Sequence, residues 1–144
     1  MNLSLMIKSL CIIFLTMLIL VGCTPGEADK DIVITFDGEG CTYDGPSVVS
    51  EGNRIITFKN NSEHSVSLDV ARLDTGKTWQ DVLDNIDLWT GQPPTWVTFV
   101  RTRPLPDNPD TREYALTEGL YLIVCLSASP LSAWPAAPLE VRAE

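Results

Sequence analysis

The stretch Glu118-Gly119-Leu120-Tyr121-Leu122-Ile123-Val124-Cys125 constrains this chain more than any other. Gly119 opens a run of β-formers that stays apolar at every step and ends in a cysteine. A strand with one face in water alternates polar and apolar residues. This one does not, so it predicts a strand buried in the core of a sandwich.

The surrounding residues read as shorter strands in the same class. Ile32, Val33, Ile34 and Phe36 mark a first strand, after which Gly38, Gly40 and Gly45 punctuate a loop carrying Cys41 and Tyr43. Pro46 to Ser50, the Glu51-Gly52-Asn53 turn and Arg54 to Lys59 read as a hairpin-like pair. Ser65 to Leu73 alternates Val66, Leu68 and Val70 with Ser67, Asp69 and Arg72, the pattern of a half-exposed strand. Trp96 to Arg103 alternates as one further strand, and the three prolines of Pro104 to Asp110 predict a surface connection. Thr111 to Leu116 leads through Thr117-Glu118-Gly119 into the central strand as another tight hairpin. Ser127 to Pro138, around Trp134, reads as a loop, and Leu139 to Ala143 as the closing strand.

One segment departs from the β pattern. Trp79, Val82, Leu83 and Ile86 recur at helical spacing, with Thr78 placed to cap and Asp81 three residues on. A short helix near 78–86 is expected to plug one end of the sandwich or to act as a lid over a ligand. The fold class is therefore all-β: a Greek-key antiparallel β-sandwich of seven or eight strands with one inserted helix.

The first residues carry a different message. Lys8 precedes an apolar run from Leu10 to Val21, and Leu20-Val21-Gly22-Cys23 follows, which resembles a bacterial lipobox. The run is shorter than the roughly 18 to 20 residues a bilayer-spanning helix needs. The expected organisation is a signal peptide over 1–22, a lipidated tether over 23–30 with lipid on Cys23, and one domain over 31–144. The domain would then stand on the extracytoplasmic side of a bacterial membrane. The full chain has net charge −9. Removing the leader takes away Lys8 and no acid, giving 9 bases minus 19 acids, or −10. Such an excess of acid argues against nucleic acid as a partner.

Cysteine counting follows from that compartment. Of four cysteines, Cys11 leaves with the leader and Cys23 carries lipid, so Cys41 and Cys125 remain on an oxidising side and are expected to pair. Closing a loop of about 85 residues would contribute on the order of 4 to 5 kcal/mol in the chain-entropy model.

Pro46-Ser47-Val48-Val49-Ser50-Glu51-Gly52-Asn53, then Ile55-Ile56-Thr57-Phe58-Lys59-Asn60-Asn61 with His64, resembles the strand, Gly turn, FxNN and following His of cupredoxins. Gly119 to Cys125 resembles their GxYxxxC strand, and Leu139-Glu140-Val141 their closing strand. The resemblance runs in order over residues 31 to 143 and implies the cupredoxin fold. In copper-binding members it also implies a site in which His64 and Cys125 match the first histidine and the strand-end cysteine.

The remaining ligands of that site are missing from the sequence. A blue-copper centre takes two imidazoles and a thiolate. His64 is the single histidine, and Met1, Met6 and Met17 all lie in the leader. The expectation is no metal and no cofactor, with a degenerate copper or electron-transfer site on His64 and Cys125 as the alternative. No catalytic residues are assigned: His64 beside Ser62 or Ser65 lacks a spaced set of partners, and no calcium-loop spacing occurs among the aspartates.

Four tryptophans, Trp79, Trp89, Trp96 and Trp134, supply the remaining candidates. Trp79 and Trp96 fit core packing. Trp89 and Trp134 are expected in end loops, where the rings either cap the end of the core or stack on sugars or anchor a protein partner. The expected function is a lipid-anchored, non-catalytic binding or structural module, with Trp89, Trp134 and His64 as contacts to an envelope protein or glycan.

Overall fold

Strand β9, Gly119–Ala128, is the apolar run extended by three residues, and both of its faces are covered. Tyr121, Ile123 and Cys125 point into a core shared by two sheets, whereas Leu122 and Val124 point the other way into a second apolar cluster. That two-sided burial is why the segment never alternates. The computed structural model describes residues 31–87, 92–105 and 108–143.

Among those residues, ten strands and one α-helix follow one another as β1 (Ile32–Phe36), β2 (Cys41–Asp44), β3 (Val48–Ser50), β4 (Gly52–Asn60), β5 (Val66–Leu73), α1 (Trp79–Asp84), β6 (Val97–Phe99), β7 (Thr102–Leu105), β8 (Asn108–Leu116), β9 and β10 (Leu131–Arg142). They form two five-stranded sheets, ordered β2-β1-β4-β8-β7 and β3-β10-β9-β5-β6. Ile32, Ile34, Phe36, Ile56, Tyr114 and Leu116 from the first sheet meet Val49, Leu68, Val70, Ile123, Leu139 and Val141 from the second in one core.

The sheets are mixed, not wholly antiparallel: β1 runs parallel to β4 and β3 runs parallel to β10. The cause lies in the connections, because the chain changes sheet after β2, β3, β4, β6 and β8. Neither expected hairpin pairs. Strand β3 bonds to β10 while β4 bonds to β1 and β8, and β8 bonds to β4 and β7 while β9 bonds to β10 and β5. The Gly52 and Gly119 turns are therefore arches between layers. Gly119, at φ +153°, also leaves the space that the Arg72 side chain occupies; a Cβ there would stand 2.8 Å from Arg72 Nε. Arg72 Nη2 donates to the Glu118 carbonyl at 2.7 Å. Tyr121 closes this arch from within, its hydroxyl donating to Thr117 O at 2.9 Å and accepting from Thr117 N–H at 3.0 Å.

Three stretches read as a single strand or as loops fold otherwise. The single strand expected over 96–103 is split, since β6 pairs with β5 and β7 with β8, and Val100 N–H bonds to Val70 O between them at 2.8 Å. The proline-rich connection contributes the pairing of β7 with β8, with Pro104 on an edge strand, where proline is tolerated. The loop expected over 127–138 is mostly strand: β10 begins at Leu131 and pairs with β9 throughout, with a register break between Pro135 and Ala137. Its other edge meets β3 only from Glu140 onward, so Pro135 and Pro138 lie where one side is free.

Helix α1 carries the capping box its sequence spells. Asp81 N–H bonds to Thr78 Oγ1 at 3.3 Å, and Thr78 N–H bonds to Asp81 Oδ2 at 2.8 Å. The helix does not plug an end of the sandwich. Val82, fully buried, packs with Leu73, Leu122 and Val124 on the outer face of the second sheet, with Trp79, Ile86 and Trp96 around them.

Candidate functional site

The disulfide between Cys41 and Cys125 ties edge strand β2 of one sheet to central strand β9 of the other, with 6.1 Å between Cα atoms and a sequence separation of 84. Each half has an aromatic residue opposite it in the ladder: Phe36 on β1 faces Cys41, and Trp134 on β10 faces Cys125. Those two rings meet at 4.8 Å between centroids, tilted by 54°. Four residues from four strands therefore close a contact loop around one end of the core. Trp134 belongs to that loop and not to an exposed turn, because the strand alternation of β10 turns it inward with Ala136.

His64 sits on the exposed turn between β4 and β5, at the same end of the sheets. Asn60 organises this turn, donating to His64 O at 2.7 Å and accepting from Ser62 N–H and Oγ at 3.0 and 2.8 Å. His64 N–H in turn bonds to Ser62 Oγ at 3.1 Å, and Asn61 N–H bonds to Phe36 O at 2.8 Å. The turn is thus built by Asn60 and by backbone groups, and the Ser62 hydroxyl is committed to Asn60. On the neighbouring β1–β2 turn, Asp37 accepts from Glu39 and Gly40 N–H at 2.9 Å each, and those donors hold its carboxyl below the usual range. Cys125 lies inside the core, with its sulfur bonded to Cys41. Among the described residues, no group of three or more His, Cys, Asp or Glu side chains comes together, and no helix is long and apolar enough to cross a membrane.

Cys23 and Trp89, the other two expected site residues, lie outside the described residues. Trp79 and Trp96 line the cluster under α1, and Lys77 stands 5.2 Å from the Trp96 ring.

A buried polar group escaped the sequence reading. Tyr114 is fully buried, its hydroxyl has no hydrogen-bonding partner among the described residues, and burial pushes its ionisation up to about 12. The charges of Arg112 and Asp69 act on it in opposite senses. Asp69 is itself raised, first by desolvation, with the Ser67 hydroxyl and Arg112 pulling the other way. Nothing in the alternation of β5 or β8 distinguishes these side chains from surface ones. Two shallow clefts lie among the described residues. One of 210 Å³ is lined by Arg72, Leu73, Asp74, Thr75 and Thr98, and the other, of 310 Å³, by residues 57–61 with Asp110.

Comparison with known proteins returned no matching family model, no matching curated protein and no matching solved structure.

Proposed function

We propose that the chain is a bacterial lipoprotein, anchored through Cys23 on the extracytoplasmic side of a membrane, whose cupredoxin-like domain serves as a non-catalytic binding or structural module. The observation that carries this reading is the union of Cys125 with Cys41. The resemblance assigns Cys125 to the thiolate of a copper site, and a sulfur spent in a disulfide supplies no thiolate. The chain's repeated changes of sheet and the shared core support the Greek-key, cupredoxin-like part of the reading. The exposed turns around Asp37 and His64 are the surface offered to an envelope protein or glycan.

The test has two arms. Full-length protein and a Cys23→Ala variant are expressed in a bacterial host and fractionated; the wild type is expected in the membrane fraction carrying lipid and the variant without it. Purified protein is then incubated with copper. A stoichiometric blue absorbance would replace this reading with the degenerate copper site on His64 and Cys125, and an unlipidated, soluble wild type would remove the anchor.

A further inference from the structure

The two sulfurs of the disulfide are equivalent in bonding and unequal in surroundings. Cys125 is fully buried in a central strand, between Leu68 on β5 and Trp134 on β10, and Phe36 covers Trp134 in turn. Cys41 is partly buried and opens a four-residue edge strand whose one ladder neighbour is β1. Of the two halves, only Cys41 retains exposure to solvent. Thiol–disulfide exchange needs a thiolate to reach one sulfur in line with the bond it breaks, and access decides which sulfur that is.

We infer that Cys41 is the exchange site of this protein, the sulfur through which the bond is both made and opened, with a small thiol or disulfide as its reactant. In opening, an incoming thiolate attacks Cys41 Sγ, the bonding pair leaves on Cys125 Sγ, and that sulfur takes a proton from water. A second thiolate then attacks the outer sulfur of the mixed disulfide, releasing Cys41 and one oxidised reagent; two thiols supply the two electrons. In making, the Cys41 thiolate attacks the reagent disulfide and expels one thiolate. The Cys125 thiolate then attacks Cys41 Sγ and expels the other. A thiolate is disfavoured in apolar surroundings, so the closed core holds the bond against reduction and guards Cys125 from other reagents. Opening the bond removes the covalent tie between β2 and β9, leaving β2 with its ladder to β1 and its packing against the core.

The experiment treats full-length protein in detergent, without denaturant, with reduced glutathione; the reaction is stopped with acid, and the cysteine carrying glutathione is located by peptide mass mapping. Glutathione is expected on Cys41. Glutathione on Cys125, or a native bond that resists the thiol at both sulfurs and opens only in urea, overturns the assignment. A second measurement uses full-length Cys125→Ala and Cys41→Ala with oxidised glutathione, with the β signature of each checked by circular dichroism. Cys41 is expected to react about tenfold faster than Cys125, with the difference abolished in urea. Equal rates in folded variants would overturn the inference as well.

Discussion

The Trp134 ring packs against Phe36 with 4.8 Å between centroids, and each ring lies opposite one half of the disulfide that joins the two sheets. Trp134 is therefore part of the core's closure. Trp134→Ala is expected to destabilise the domain by about 2 to 4 kcal/mol in a urea titration, and Trp134→Phe by less than half of that. An unchanged midpoint for the alanine variant would return Trp134 to the surface role its sequence context suggests.

Val82 is the buried residue of α1 and its contact with Leu122 and Val124 shields the outer face of β9. Val82→Ala should cost about 1 to 3 kcal/mol by removing that cover. Thr78→Ala should cost about 1 kcal/mol by breaking the capping box at its N-cap. Thermal unfolding of both single variants and the double variant checks this, and the double is expected to fall short of additivity if one helix docks as a unit.

Asp69 makes stability depend on pH in the opposite sense from most carboxylates. Burial raises its folded-state ionisation above the ordinary value of 3.8, against the pull of the Ser67 hydroxyl and the Arg112 charge. Below that ordinary value both states are protonated, and Asp69 imposes no penalty. As pH rises from there through the raised value, the folded state holds the extra proton, so stability falls, and the penalty is complete above it. Asp69→Asn should therefore raise the urea midpoint at pH 7 and leave it unchanged near pH 3. Asp37, on the β1–β2 turn, and Asp81, in the first turn of α1, are held low by hydrogen bonds and act in the other direction. The difference between variant and wild type isolates Asp69 from them.

Tyr121 anchors the arch between β8 and β9 through both backbone groups of Thr117. Tyr121→Phe keeps the ring in the core and leaves those groups without their partner. The expected loss is about 1 to 2 kcal/mol, read from chemical denaturation. Hydrogen exchange at Thr117 N–H should rise at the same time. A variant as stable as wild type with an unaltered exchange rate would show that the arch is held by other contacts.

Local signals carried a definite part of this structure. The apolar run of 119–125 announced a buried strand, the Thr78–Asp81 spacing announced a capped helix, and the expectation of an exported chain led to the pairing of Cys41 with Cys125. Each depends on residues a few positions apart, or on composition alone. The segment around Trp134 reads as loop because its Ala, Ser and Pro carry no strand propensity of their own; pairing with β9 overrides that. Asp69 and Tyr114 were missed because alternation records which side of a strand a residue takes and not what lies on that side.

The amino-acid order by itself determined that the chain would be β-rich around one central strand and that a helix would interrupt it, and it led to the expectation that Cys41 and Cys125 pair. Tertiary structure decided which strands share a sheet, so that 46–50 and 54–59 part company at Gly52 while β1 and β4 run parallel. It also decided that Cys125 is enclosed while Cys41 stands at an edge. Hydrophobic periodicity is a property of neighbours along the chain. Sheet order and enclosure depend on which distant segments leave least apolar surface in water when the whole chain is packed together.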